Sequence, residues 1–346
     1  MGEIKAVILA GGQSTRLRPI TNTRPKMLVP VVNKPIIDYV VERVEQSGIK
    51  ECVFTLYYKS DMLIEHLSKS LPKNMRACYV REARPLGTAG SVKNVEDLLE
   101  DVFLVVSGDI LFDYDLKTVI KSHIENEREA TIVLTQVEDV TGLGIANLNS
   151  EYKITSFVEK PDPLKVKSRL VNTGIYVLNK SVLSLIEKGK KTDFSMDVFP
   201  KLVKQNKLFG FPLKGFWSDI GTFKGLLKAQ SEVLNGKTKI AINAPKIAEG
   251  IYVEKGAQVD DLEHLVGPAL IASESRVNEG VALRSSVLGR GCEIKRNCTI
   301  IHSLLMESTT VEEESELVGI VTGVGSRITR QKRLFGPTGY ADYSVV

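Results

Sequence analysis

Two glycines that follow an apolar stretch are the first feature of this chain with chemical promise. Ile4 to Ala10 is nearly continuously apolar, the pattern of a strand covered on both faces. It runs into Gly11-Gly12-Gln13-Ser14-Thr15-Arg16-Leu17-Arg18-Pro19. Without side chains in the way, the glycine N–H groups can approach an anion closely. Thr15 adds a hydroxyl donor, and Arg16 and Arg18 add charged donors suited to phosphate oxygens. Pro25-Lys26 follows, with Lys26 as a point charge for the same phosphates. The segment is neither the GxGxxG turn of dinucleotide folds nor a P-loop. Taken singly, a glycine turn, an Asp after Gly or a Lys beside Pro is ordinary surface.

The elements around these residues alternate. Ile36, Ile37, Val40, Val41 and Val44 recur at helical spacing. A strand is expected at Cys52–Tyr57, a helix at Asp61–Leu71, a strand at Arg76–Val80 and a helix near Ala89–Leu99. Val102–Val106 is a further apolar strand, ending at Ser107-Gly108-Asp109. Such alternation predicts a layered α/β sheet with mainly parallel strands, which binds ligands beyond the carboxyl ends of its strands. Gly11-Gly12 and Asp109 both fall there.

After Gly236 the pattern changes. Val253, Val259, Leu265, Ile271, Val277 and Leu283 are six residues apart. After a one-residue slip the series resumes at Leu288, Ile294, Ile300 and Met306, slips again, and continues through Val311 and Leu317. A period of six fits neither helix nor simple strand; it is that of a parallel β-helix of about four coils. Cys292 and Cys298, six apart, belong on different sides of the coil as small apolar residues. From Ser326 the pattern breaks, and a C-terminal tail or cap is expected, with Arg327, Arg330, Lys332 and Arg333 close together.

Composition narrows the function. At 346 residues, with 43% hydrophobic and 25% charged residues, the chain has the make-up of a two-domain soluble protein. Four cysteines without a CxxC pair make no disulfide framework, and His66, His123, His264 and His302 show no metal-ligand spacing. No signal-peptide pattern and no apolar run of membrane-spanning length stand out, so a cytoplasmic protein without membrane partners is expected. Residues 1–236 carry 33 Lys/Arg against 28 Asp/Glu, whereas the remainder carries 13 against 14. A mild excess of this size suits phosphate-bearing ligands and is too small for nucleic acid.

From Gly11 to Pro35 the opening resembles the signature of the sugar-1-phosphate nucleotidyltransferases: Gly-Gly-Gln-Ser-Thr-Arg-Leu-Arg-Pro, then Arg24-Pro25-Lys26 and Asn33-Lys34-Pro35. One departure is Ser14, where the family usually has glycine; a serine fits if its backbone angles are ordinary. The resemblance continues in order over more than half the chain. Leu86-Gly87-Thr88-Ala89-Gly90 looks like the family's nucleoside loop, and Ser107-Gly108-Asp109 like its first metal-ligand motif. Phe157-Val158-Glu159-Lys160-Pro161 and Val171-Asn172-Thr173-Gly174 look like its sugar-phosphate segments, with Gly144 as a backbone contact to the sugar. Phe216-Trp217-Ser218-Asp219-Ile220-Gly221-Thr222 resembles its closing motif, with Asp219 as second metal ligand. The fold implied is a Rossmann-like, mainly parallel α/β catalytic domain over 1–236. A left-handed parallel β-helix follows over 237–325, then a tail or cap over 326–346.

The resemblance implies transfer of a nucleotidyl group from a nucleoside triphosphate to a sugar 1-phosphate, with release of pyrophosphate. Mg²⁺ is the implied cofactor, held by Asp109 and Asp219, because a hard cation binds one or two carboxylates plus substrate phosphates. Arg16 and Lys26 then stabilise the transition state and leaving group. Leu9, Gly11, Gly12, Thr15, Arg16, Glu82, Gly87 and Thr88 form the implied nucleotide site, and Gly144, Glu159, Lys160 and Asn172 the sugar-phosphate site. The branch most resembled is mannose-1-phosphate guanylyltransferase. Thymidylyl- and uridylyl-transferring relatives often have a glutamine before the nucleoside loop, whereas Arg81, Glu82 and Arg84 occur here, and a Glu82 carboxylate can accept both adjacent donors of guanine. The alternatives are thymidylyl or uridylyl transfer to glucose 1-phosphate, and a regulatory subunit that binds a nucleotide sugar without making one. Acyl transfer by the β-helix would need His264 or His302 as base and lacks any motif. A homo-oligomer through the β-helix is the expected assembly.

Overall fold

The computed structural model describes residues 4–346. Packing divides the chain into two units. One contains the residues up to Gln13 and Ile37–Trp217; the other contains Ser14–Ile36 and Ser218–Val346. The segment Ser14–Ile36 is therefore grouped with the C-terminal half, which no change of composition marks.

The first unit is built on a mixed sheet. Its centre is β1 (Lys5–Ala10), β2 (Glu51–Leu56), β3 (Arg76–Arg81) and β4 (Val102–Ser107), parallel and in the order β3-β2-β1-β4. Val7, Ile8, Phe54, Leu104 and Val105 are fully buried, which explains the unbroken apolar runs. The strands β5 (Ala130–Gln136), β6 (Gly144–Leu148), β7 (Ile154–Glu159) and β8 (Leu170–Asn179) follow. Here β8 is antiparallel to β4, β5 and β6, and β7 is antiparallel to β6. A last strand, β9 (Leu208–Pro212), runs parallel to β5.

The helices come from amphipathic segments. In α1 (Ile36–Gln46) the five aliphatic residues at helical spacing are all buried. In α2 (Ser60–Ser70) Leu63 and Leu67 are buried. The helix expected near Ala89–Leu99 is shorter: α3 covers Gly87–Asn94, Val95 leaves helical geometry, and a 3₁₀ turn spans Glu96–Leu98. Asp115 caps α4 (Leu116–Glu125), its side chain accepting from Lys117 N at 3.0 Å. Buried His123 is structural, within 2.9 Å of Thr131 Oγ1 and 3.0 Å of Asn179 Oδ1. Among the described residues no helix is long and apolar enough to cross a membrane.

The second unit contains α5 (Phe223–Leu234) and a parallel β-helix. Stacked residues are 18 apart in the first coil, Val259 on Val277, and 17 apart thereafter, Val277 on Ile294, Val311 and Ile328. The shorter repeat arises because one side of each coil has five residues, as between Leu283 and Leu288. The second slip falls one side of the coil earlier than the spacing predicts, between Ile300 and Leu305: Leu305, not Met306, stacks on Leu288 and joins the coil's core. Cys292 and Cys298 are buried in that core, and burial pushes the Cys292 thiol up to about 12. The coil also continues beyond Ser326. Arg327–Ile328 pairs with Thr310–Val311, and Arg333–Gly339 runs parallel to Glu316–Val321. Of the basic residues expected in a tail or cap, Arg327 and Arg333 lie on strands and Arg330 in the turn between them, and Arg327 and Arg330 bond Glu312 and Glu314 on the coil below. Ile328 keeps the inward position, which is why pairing survives the polar sequence around it.

The N-terminal segment is fastened within this second unit. Val32 N donates to Gln230 Oε1 on α5 at 3.3 Å, and Asn33 Nδ2 donates to Leu288 O of the coil at 3.1 Å. Because Leu305 is fully buried in the coil, Leu305→Ala should cost roughly 2–5 kcal/mol by urea denaturation. Truncating half-exposed Leu262 in the same way should stay within about 0.5 kcal/mol.

Candidate active site

The candidate nucleotide-binding residues Leu9, Gly11, Gly12 and Glu82 are laid out by the parallel strands of the first unit. Leu9 of β1 stands in register with Ser107 of β4, and Gly108 N donates to Leu9 O at 2.9 Å. Gly11 and Asp109 each lie two residues beyond that pair, at adjacent carboxyl ends. A Cβ on Gly108 would come within 3.0 Å of Leu9 O, so the small residue keeps the two ends close.

Glu82 follows the last residue of β3 and is buried. Its Oε2 accepts from Leu86 N at 3.2 Å and would lie 3.8 Å from a Cβ on Gly11. Its Oε1 is buried without a hydrogen-bond partner among the described residues. A carboxylate oxygen in that state costs stability unless something donates to it.

The loop that follows is held by its own backbone. Gly87 has φ +74° and packs on Thr192, where a Cβ would sit 2.5 Å from the carbonyl oxygen. The N–H groups of Ala89 and Gly90 both donate to Thr192 O at 3.0 Å. The Thr88 hydroxyl is engaged as well, donating to Asp193 Oδ2 at 2.8 Å and accepting from Phe194 N at 2.9 Å. Thr88 thus braces the loop with its side chain.

The sugar-phosphate candidates gather on the antiparallel strands. Gly144 opens β6 opposite Glu159 at the end of β7, and its Cβ would meet Glu159 Oε2 at 2.5 Å. Val171 of β8 pairs with Ile145, which brings Asn172 to the same corner. Asn172 is fixed on three sides: Nδ2 reaches Tyr176 Oη at 3.1 Å and Ser195 Oγ at 3.3 Å, and Oδ1 accepts from Gly174 N at 2.9 Å. Burial raises the Glu159 carboxyl above the usual carboxylate range, with nearby Lys160 and Ser195 acting in the opposite sense. Lys160 Nζ is 3.9 Å from Glu159, on a side chain that is largely exposed.

Asp193 and Ser195 were not singled out by sequence. Asp193 accepts from Thr88 Oγ1, Ser195 N and Met196 N, tying the Gly87–Gly90 loop to the corner that holds Asn172. Only its Asp-x-Ser spacing, ordinary for a helix cap, could have drawn attention to it.

Thr15, Arg16, Lys26 and Asp219 belong to the second unit. Thr15 and Arg16 form an exposed 3₁₀ turn with Leu17, which anchors it in the core. Ser14 stands where the resembled family usually has glycine, and it has φ 51° and ψ 46°, the left-handed region that glycine occupies freely rather than ordinary angles. Its carbonyl accepts from Leu17 N at 3.2 Å and Thr21 Oγ1 at 2.9 Å, which holds the serine there. Lys26 is almost fully buried, and its Nζ lies 3.4 Å from Asp219 Oδ1. Arg16 Nη2 lies 3.9 Å from Asp219 Oδ2. Gly221 leaves the room, since a Cβ there would meet Arg16 Nη2 at 2.6 Å and the Asp219 carboxylate at about the same range.

Two cations and one partly exposed carboxylate are a suitable surround for phosphates and a metal. Among the described residues no group of three or more His, Cys, Asp or Glu could hold a metal ion. Mg²⁺ needs none, because it completes its shell with substrate phosphates and water. Asp219, one third exposed between its two cations, fits that habit.

Residues 5–236 match the family model described as Nucleotidyl transferase. A mannose-1-phosphate guanyltransferase of Yarrowia lipolytica is 37% identical over 241 residues, 68% of this chain and 66% of that protein. A UTP–glucose-1-phosphate uridylyltransferase of Synechocystis sp. is 30% identical over 334 residues, 91% of this chain and 86% of that protein. Among solved structures, HddC from Yersinia pseudotuberculosis complexed with GMP-PN is similar at a TM-score of 0.58 and 29% identity. That likeness covers 66% of this chain and 99% of the other.

Two outcomes follow from this geometry. Lys26→Ala should lower turnover roughly 10²- to 10³-fold in a steady-state assay, as loss of a preorganised electrostatic donor does. Ser14→Gly should be neutral or stabilising, by up to about 1 kcal/mol in chemical denaturation, because it relieves a left-handed serine.

Proposed function

The chain belongs to the nucleotidyl transferase family and is a sugar-1-phosphate nucleotidyltransferase, and from that premise we propose that it makes GDP-mannose from GTP and mannose 1-phosphate. The observation that carries the choice of base is Glu82. One of its carboxylate oxygens is buried without a partner among the described residues, beside the glycine turn and the nucleoside loop. Guanine offers two adjacent donors on its pairing edge, and a carboxylate accepts both as a fork. Uracil and thymine offer a single donor there. The guanylyl-transferring relative and the GMP-PN complex support the same choice.

In the reaction a sugar-phosphate oxygen attacks the α-phosphorus in line, and the bond from that phosphorus to the bridging oxygen of the β-phosphate breaks. The electron pair leaves with pyrophosphate, so no covalent enzyme intermediate is needed. The residues work by position and charge. Gly11 and Gly12 present N–H groups to the triphosphate, and Arg16 and Lys26 stabilise the charge that accumulates on the leaving pyrophosphate. Lys160 holds the sugar phosphate, Glu159 and Asn172 orient the sugar, and Gly144 lets its backbone approach. Asp109 and Asp219 are the carboxylates assigned to Mg²⁺, which when bound offsets phosphate charge. The β-helix, which leaves Val266 and Phe335 exposed, is assigned to self-association.

A second reading, uridylyl transfer to glucose 1-phosphate, draws on the longer match to the Synechocystis protein. Comparing kcat/KM for GTP and UTP in wild type and Glu82→Gln separates the two. The guanine reading requires a strong GTP preference that falls by about 1–3 kcal/mol, roughly 10- to 100-fold, in the variant. An unchanged preference removes Glu82 from base selection. Because Glu159 protonates at higher pH than an ordinary carboxylate, the KM for sugar phosphate should rise early as pH falls. In Glu159→Gln that acid limb should be absent from the pH profile.

A further inference from the structure

The C-terminal end of the β-helix reaches the segment that carries Lys26. Arg24 Nη2 lies 3.2 Å from Asp342 Oδ2 and 3.4 Å from Oδ1, although the two residues are 318 positions apart. Both side chains are largely buried, 15% and 10% exposed, so the pair is not a surface salt bridge. Asp342 is itself fixed to the coil, its Oδ1 accepting from Val324 N at 2.8 Å. Arg24 Nε is buried without a hydrogen-bond partner among the described residues, which leaves the guanidinium dependent on this carboxylate. Only Pro25 separates Arg24 from Lys26. The proline ring fixes φ, here −68°, and Lys26 opens a 3₁₀ turn closed by Val29 N donating to Lys26 O at 2.9 Å. A displacement of Arg24 is therefore passed to Lys26 with little slack.

The other side of the same charge cluster rests on the same coil. Phe223 opens α5 just after the Asp219–Thr222 stretch and packs on Gly339 of the last strand. A Cβ on Gly339 would lie 2.3 Å from the Phe223 ring. The last coil thus touches both the segment that carries Lys26 and the segment that carries Asp219.

We infer that Asp342 is a positioning residue for the transfer reaction: through Arg24 it holds the Lys26 ammonium beside Asp219, which makes the final coil part of the catalytic framework. This rests on the reading of Lys26 as the group that meets the leaving pyrophosphate. Breaking a buried charge pair leaves an uncompensated charge, so Arg24 should shift toward water and take Lys26 with it. Ångström-scale misplacement of such a group lowers turnover more than it weakens binding.

The test compares full-length wild type with Asp342→Asn, Asp342→Glu and Arg24→Lys. Asparagine keeps the acceptor for Val324 N and removes the charge; lysine keeps the charge and removes the fork. Circular dichroism first establishes that each variant is folded at the assay temperature. Asp342→Asn and Arg24→Lys should then lose roughly 10- to 100-fold in kcat, with KM for both substrates within about threefold of wild type. Asp342→Glu should recover part of that loss. Independently of activity, acetic anhydride labelling followed by peptide mass spectrometry should modify Lys26 several-fold faster in Asp342→Asn than in wild type. Wild-type kcat and wild-type Lys26 labelling in a folded Asp342→Asn, even with a lowered melting temperature, would overturn the inference. A wild type that turns over no nucleotide and sugar-phosphate pair counts instead against the nucleotidyl-transfer reading, and the labelling still decides whether Asp342 places Lys26.

Discussion

A lysine ammonium cannot be withdrawn from water unless a partner compensates its charge. Lys26 is buried to within a few per cent, and Asp219 lies 3.4 Å away across 193 positions of sequence. Much of the second unit is what that pairing needs. Leu17, Ile20 and Met27 bury themselves around the loop, and Thr222 caps the helix that follows Asp219. Arg16 lies 3.9 Å from the other oxygen of the carboxylate. Cations held at that carboxylate are useful to an enzyme that must bring two anionic substrates together. Held in place by the fold, the charges need not reorganise when the reaction occurs.

The first unit meets a different constraint. Its parallel strands present backbone and short side chains at their carboxyl ends, where the turn at Gly11-Gly12 and Asp109 lie in adjacent register. Its antiparallel strands place Gly144, Glu159 and Asn172 at one corner. Asp193 then ties the nucleoside loop to that corner through Thr88 and Ser195. Among the described residues Glu82 keeps one buried oxygen without a hydrogen-bond partner, beside the loop that follows it. A group in that condition is better explained by a ligand than by folding.

Much of this was legible in the sequence, for a physical reason. Apolar runs and six-residue spacing report burial, and burial is what the α/β sheet and the coil require. Gly11, Gly87 and Asp109 were legible because tight turns and strand ends restrict residue type. The slip at Leu305 was not legible, because Leu304, Leu305 and Met306 are all apolar and all buried, so spacing cannot choose among them. The left-handed Ser14 was hidden because its carbonyl contacts, not its residue type, hold the conformation. Thr88 read as a ligand contact because a hydroxyl in a loop carries no mark of the carboxylate it serves. Asp342 was the least visible of all, since nothing local links residue 342 to residue 24.

The most direct measurement is pyrophosphate release in the presence of Mg²⁺. It would run GTP, UTP, dTTP, ATP and CTP against mannose, glucose and N-acetylglucosamine 1-phosphates. GTP with mannose 1-phosphate should give the fastest release, and Asp219→Ala should abolish it. Silence across all pairings, from a folded protein that binds a nucleotide sugar, would contradict catalysis by this charge cluster and leave a binding subunit in its place.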